Sequence, residues 1–250
     1  MTGSKPLAGK IVLVTGANSG IGEAIALGFA EAGATLVLAA RRAEPLEAVA
    51  ARARAMDVDV LAVPTDVTDI AAVDALMQAV RERHRGLDMV YCIAGGNTTK
   101  GATAEVDAAA WIACLNLNVS GAFLTAKAAL PLLEARGGGR VVMMGSGMGY
   151  RGDPLNSAYC AGKAAQAMLV RCLAEEWKER NISVNELIPG PVVTPATMAE
   201  MQAEGVTSGF STPGEWRKQP GDVVPMALFL ATCPEPGPTA QSFSLMRRQR

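Results

Sequence analysis

The sequence predicts a doubly wound α/β domain, a parallel sheet covered by helices on both faces. Three observations predict it. Short apolar runs alternate with segments of helical periodicity along most of the chain, and strands joined through helices imply βαβ crossovers. The first run, Ile11 to Val14, ends in a glycine-rich turn that opens a helix, Thr15-Gly16-Ala17-Asn18-Ser19-Gly20-Ile21-Gly22. The composition is 50% hydrophobic, 19% charged and only 4% aromatic, which suits a tightly packed α/β core. At 250 residues the chain has the length of one such domain, and residues 1–250 show no internal repeat and no linker.

Ile21 to Ala32 has helical spacing and is closed by Gly33; Thr35 to Ala39 reads as the second strand and Ala43 to Ala55 as the second helix. Val58 to Val63 is a third strand, Asp69 to Arg85 a third helix and Met89 to Ala94 a fourth strand. A long helix is predicted over Val106 to Leu130, then the strand Arg140 to Met144 and a helix running to about Arg180. Ile182 to Leu187 is a further strand, and a helix from Asp222 to about Ala231 and a short strand, Ser242 to Leu245, close the chain. Between them lies a stretch rich in Pro, Gly, Ser and Thr, which in a compact domain is expected to be a loop or a substrate lid over about 194–220.

Several function classes are disfavoured. A net charge of −1 gives no field for nucleic acid or an anionic membrane. No run approaches the ~18 uninterrupted apolar residues of a membrane span, and the start MTGSKPLAGK has no secretory core, so a cytoplasmic protein is expected. The five cysteines, Cys92, Cys114, Cys160, Cys172 and Cys233, include no C-x-x-C pair and read as buried free thiols rather than disulfides or metal ligands. The one histidine, His84, lies in the charged run RERHR, read as a solvated helix face, which argues against a Ser-His-Asp hydrolase.

In an open parallel sheet ligands bind beyond the carboxyl ends of the strands. Gly16 permits the tight turn, Gly20 lets backbone N–H groups approach a pyrophosphate, and Gly22 allows close helix packing, with the helix dipole favouring the anion. A free ribose 2′-hydroxyl calls for an acid about twenty positions later. The second strand instead ends Ala39-Ala40-Arg41-Arg42. Two guanidinium groups suit a 2′-phosphate, so NADP(H) is expected over NAD(H).

Chemistry is expected from the stretch Gly139 to Lys163. Ser146 follows an apolar run, and Tyr159 and Lys163 stand four residues apart, one above the other on a helix face. A free phenol, with a pKa near roughly 10, holds its proton too tightly for exchange at neutral pH. A neighbouring ammonium favours the tyrosinate and brings it toward the useful range.

Together these residues resemble the short-chain dehydrogenase/reductase family, over nearly the whole chain. The matching pieces are TGANSGIG, Asp66-Val67, Ala94-Gly95, Asn118, Ser146, Tyr159-x-x-x-Lys163, and Pro189-Gly190 followed by Val192 and Thr194. The resemblance implies a Rossmann fold and a catalytic set in which Tyr159 is the general acid/base and Ser146 orients the substrate oxygen. It implies that Lys163 lowers the tyrosine pKa and holds the nicotinamide ribose, while Asn118 supports a water linking Lys163 to solvent. Asn18, Ser19 and Ile21 join the three glycines around the cofactor, with Asp66 and Val67 at the adenine and Pro189 to Thr194 at the nicotinamide.

Two departures from the family pattern stand out. Ile93 replaces the usual asparagine of Asn-Ala-Gly, and Met246-Arg247-Arg248 replaces Asp-Gly-Gly. The expected activity is hydride transfer between NADP(H) and a carbonyl or secondary alcohol of a small molecule. A non-catalytic NADP(H)-binding regulator is the alternative, but it would be expected to lose Tyr159 or Lys163. An epimerase or dehydratase of the extended branch needs a further substrate domain, for which no residues remain. Apolar side chains such as Trp111, Leu115, Phe123, Met168, Leu169 and Leu173 exceed what one sheet-facing stripe requires, and the family implies a homotetramer or dimer. Met148, Leu155, Met198, Met201, Phe210 and Trp216 are candidates for an apolar substrate pocket.

Overall fold

In the computed structural model, which describes residues 5–198, 215–235 and 237–247, the apolar runs form strands β1 (Ile11–Thr15), β2 (Thr35–Ala40), β3 (Val60–Pro64), β4 (Met89–Cys92), β5 (Gly139–Met144), β6 (Ile182–Ile188) and β7 (Ser242–Ser244). They make one sheet in the order β3-β2-β1-β4-β5-β6-β7, and every pairing is parallel. The helices α1 (Gly20–Glu31), α2 (Ala43–Arg54), α3 (Ile70–His84), α4 (Ala108–Leu115), α5 (Gly121–Glu134), α6 (Ser157–Trp177) and α7 (Val224–Thr232) cover it.

Strand side chains alternate between the two faces, and both faces are packed. On one, Val12, Val14, Leu36 and Leu38 meet Ile25 and Phe29 of α1, Leu46 of α2 and Leu230 of α7. On the other, Leu13, Val37, Val90 and Val184 meet Leu76 of α3, Leu133 of α5 and Val170 and Leu173 of α6. Tyr91 of β4 ties α7 to the sheet: fully buried, it meets Phe29 edge-on with ring centroids 4.8 Å apart and donates its hydroxyl to the Ala227 carbonyl at 2.8 Å. Tyr91→Phe should cost about 1 kcal/mol, the net worth of one buried hydrogen bond. A urea midpoint that does not move would contradict that placement.

The strand order reverses between β1 and β4, and there the chain opens a crevice beyond the strand ends. Thr15 closes its floor, since its buried hydroxyl accepts the N–H groups of Ile93 at 3.1 Å and Ala94 at 3.2 Å. This pull explains why β4 ends at Cys92 and not at the expected Ala94.

The largest correction concerns the helix expected over Val106 to Leu130. Asp107 caps its start by accepting from Ala110 N–H at 2.8 Å, so α4 begins at Ala108, and a π-helical turn over Asn116–Ser120 separates it from α5. The fully buried Asn118 amide donates to the Cys114 carbonyl one turn back at 2.9 Å, and a side chain inserted there widens the ladder. By length and composition the stretch 108–134 is apolar enough to cross a membrane, but it carries this polar turn and packs on α6. Elsewhere the ends move by a few residues: α6 gives way to a 3₁₀ turn at Lys178–Arg180, and another, Pro220–Val223, precedes α7. His84 is not solvated as expected. Its side chain is 6% exposed beside Asp59, and burial pulls the imidazole below its ordinary value.

Candidate active site

The glycine turn requires its glycines. Gly16 has φ +67°, and a Cβ there would lie 2.8 Å from the Ala94 backbone nitrogen, which cannot give way. A Cβ on Gly22 would overlap the Gly16 carbonyl, and one on Gly20, at φ +60°, would press on the Thr194 side chain at 3.2 Å. The turn, Ala94 and Thr194 are therefore one contiguous rim. Ser19 is the N-cap of α1 in extended conformation, yet its side chain makes no capping hydrogen bond. Ile21 is half-buried behind it.

At the end of β2, Arg41 and Arg42 are exposed. With its amide oriented to satisfy both groups, Asn18 Oδ1 accepts from Arg42 Nη2 at 3.0 Å and Nε at 3.3 Å, holding that guanidinium beside the turn. Arg41 lies in the field of Asp66. The Asp66 carboxylate accepts from the Thr68 hydroxyl at 2.7 Å and N–H at 2.9 Å, which holds it below its usual value. Val67 is buried against Gly121.

The catalytic candidates converge deeper in the crevice. Lys163 is 2% exposed, and its ammonium donates to the Met144 carbonyl at 2.6 Å and to Gln166 Oε1 at 3.0 Å. Its Nζ stands 5.7 Å from the Tyr159 ring centroid, so the two side chains share one helix face as the spacing requires. Burial pulls Lys163 from its ordinary value near 10.5 to about 8, against the opposing pull of Glu186 and Cys114. Asn118 donates to the Gly96 carbonyl at 2.8 Å and accepts from its N–H at 3.1 Å, which pins the loop after β4. A Cβ on Gly95 would stand 2.8 Å from Asn118 Oδ1 and 3.5 Å from Lys163 Nζ. Ser146, two residues past the carbonyl that Lys163 grips, caps the 3₁₀ turn Gly147–Tyr150 by accepting from Met148 N–H at 3.2 Å.

After β6, Pro189 leads to Gly190 at φ +70°, and Val192 bridges to Lys218. Thr194 closes an ST-type turn with Thr197. The unusual C-terminal Met246 packs between the loops after β5 and β6, against Gly147 and Gly190, so the tail does cover this end of the sheet. Met201, Phe210 and Arg248 lie outside the described residues. Met198, Trp216 and Leu155 are about half exposed, and Met148 is partly buried.

Two residues beside Lys163 were not singled out from the sequence: Gln166, one turn further along α6, and Glu186, fully buried in β6. The signal was a charged residue at the centre of the buried strand ISVNELI.

The family model described as short chain dehydrogenase matches residues 10–205. The 2,5-dichloro-2,5-cyclohexadiene-1,4-diol dehydrogenase LinX of Sphingobium indicum is 34% identical over 227 residues, 90% of each chain. Among solved structures, a variant of actinorhodin polyketide ketoreductase with NADPH has a TM-score of 0.86 at 29% identity, covering 94% of this chain and 95% of that one. NAD+-bound xylitol dehydrogenase has a TM-score of 0.88 at 27% identity, covering 96% and 98%. Fold and relatives together define an oxidoreductase. The chain belongs to the short-chain dehydrogenase family.

Proposed function

We propose that the chain is an NADP(H)-dependent alcohol dehydrogenase or ketoreductase acting on a small-molecule carbonyl or secondary alcohol of ketone, ketoacyl or keto-sugar type. The observation that carries this reading is the buried Lys163 ammonium beside the Tyr159 ring at the carboxyl end of the sheet. Burying an ammonium is costly, and the lysine earns its place by acting on the phenol. As a fixed positive charge it stabilises the tyrosinate, so Tyr159 can give a proton to a substrate oxygen, or take one, near neutral pH. Ser146, on a turn anchored by its own Oγ, orients that oxygen.

The residues present fit a dinucleotide. The crowding at Gly16, Gly20 and Gly22 and the uncapped start of α1 support a pyrophosphate site. On this reading Asn18, Ser19 and Ile21 complete that turn. Asp66 and Val67 face the adenine side, Ala94 and Gly95 the ribose with Tyr159, Lys163 and Asn118, and Pro189, Gly190, Val192 and Thr194 the nicotinamide side. When bound, the nicotinamide supplies or accepts the hydride. Structures of similar fold bind NADPH in one case and NAD+ in another, so the choice falls to Arg41 and Arg42. Arg41→Ala should cost about ten- to a hundred-fold in NADPH affinity, a charge-assisted contact worth about 1.5 to 3 kcal/mol, and leave NADH unchanged. Equal affinities of the unmodified protein for NADPH and NADH would contradict the NADP(H) preference.

The test of the function is NADPH oxidation over a panel of ketones, ketoacyl thioesters and keto sugars. Turnover on at least one class is expected, and none on any would oppose the reading. We also propose self-association through α4, α5 and α6, which leave Ile112, Phe123 and Met168 exposed at 54%, 36% and 58%. Light scattering should report a dimer or tetramer; monomer alone at micromolar concentration would count against it.

A further inference from the structure

One buried acid beside this site has no part in the reaction as described. Glu186 is fully buried in β6, on the strand face that Ile182 and Val184 present to α6. Its Oε2 accepts from the Tyr150 hydroxyl and, at 2.6 Å, from Ser242 Oγ. Its Oε1 has no hydrogen-bond partner among the described residues and lies against Gly145, where a Cβ would overlap it. Gly145 sits between Met144, whose carbonyl accepts from Lys163, and Ser146.

The facing helix repeats the pattern. Gln166 is fully buried; its Oε1 accepts from the Lys163 ammonium, and its Nε2 has no partner among the described residues. So α6 holds a buried donor without an acceptor and β6 a buried acceptor without a donor, the first attached to Lys163 and the second to the carboxylate that pulls on it. A buried polar group left alone in this way is costly. A small apolar residue at 186 would remove the stray oxygen, and the two hydroxyls that Glu186 holds stand 2.8 Å apart, within reach of each other.

We propose that Glu186 is a positioning residue of the Tyr159–Lys163 pair: a buried counter-charge, clamped by Tyr150 and Ser242 against Gly145, next to the Met144 carbonyl that Lys163 binds, that holds the ammonium in the charged form. Its effect on catalysis rests on the function proposed above; the charge pairing does not. The groups that face Lys163 are Cys114 from α4, Asn118 from the π-helical turn, Tyr159 from its own helix and Glu186 from β6. Tyr150 donates to Glu186 and in turn bonds Arg171 of α6. Among these Glu186 is the carboxylate.

NMR titration of the free protein, labelled at the lysine Cε and assigned with Lys163→Met, reads the pairing without any turnover. Glu186→Gln keeps the shape and removes the charge, and should lower the Lys163 midpoint by about one pH unit; Glu186→Asp should restore part of that. In kcat/KM the alkaline limb should fall by the same amount in Glu186→Gln, with the plateau at lower pH kept. An unchanged midpoint, or an equal fall in the Gln and Asp variants, would overturn the proposal. Should Glu186→Gln fail to fold, Glu186→Met removes the charge at similar length without adding an amide to satisfy: a lower midpoint supports the pairing and an unchanged one overturns it. A protein inactive on every carbonyl of the panel but showing the midpoint shift would sink the function and leave the pairing standing.

Discussion

Tyr159→Phe should lower turnover by about two to four orders of magnitude while folding and NADPH binding survive. The substitution removes only the phenolic hydroxyl, and a positioned acid or base is worth about that much. Tyr159 is partly buried in the first turn of α6, where its ring packs beside Lys163, so the Phe ring fits the same space. Retention of more than about a tenth of the activity on an authentic substrate would remove Tyr159 from the role of proton donor.

Lys163→Met should separate function from stability. Activity should fall by at least about a hundred-fold, since the phenol loses the charge that brings it into range. Stability follows the lysine's own titration. In the fold Lys163 releases its proton at about 8, whereas its ordinary value is near 10.5. Below about pH 8 it is charged in both states, and its burial costs stability. Between the two values the unfolded chain binds more protons than the folded one, so stability rises with pH there. At neutral pH Lys163→Met relieves that burial but leaves the Glu186 carboxylate without its counter-charge and the Met144 carbonyl and Gln166 Oε1 without a donor, so the two effects oppose each other and the net change is expected to stay within about 3 kcal/mol. A urea midpoint that rises from about pH 8 to about pH 10 no more in the unmodified protein than in Lys163→Met would contradict this. In the unmodified enzyme the same titration should cut activity as pH rises through about 8.

The parts legible in the sequence are those set by local chemistry. A turn crowded enough to need Gly16, Gly20 and Gly22, and two side chains four residues apart on one helix, announce themselves in any reading of the chain. The alternating apolar runs likewise led to a parallel sheet whose order reverses beyond Thr15 and Cys92. What escaped depends on partners far along the chain. The π-helical turn carries Asn118, whose amide binds both the Cys114 carbonyl one turn back and the loop at Gly96, and nothing near residue 118 signals that second partner. His84 looks solvated among four charged neighbours until α3 closes over Asp59. Glu186 reads as an oddity in an apolar strand, and its meaning comes only when Ser242, Tyr150 and Lys163 gather around it from three other segments. Met246 belongs with these, since its place between the loops of β5 and β6 is set by the sheet and not by its neighbours in sequence.

The central claim is hydride transfer between a nicotinamide and a substrate carbonyl, and isotope tracing tests it most directly. The unmodified protein is incubated with the carbonyl panel and NADPH deuterated at the transferable position of the nicotinamide ring, and the products are weighed by mass spectrometry. The deuterium should appear on the new carbinol carbon, with the oxygen-bound proton drawn from solvent through Tyr159. Label that stays in the nicotinamide ring across the whole panel, or an alcohol formed without it, would contradict the account.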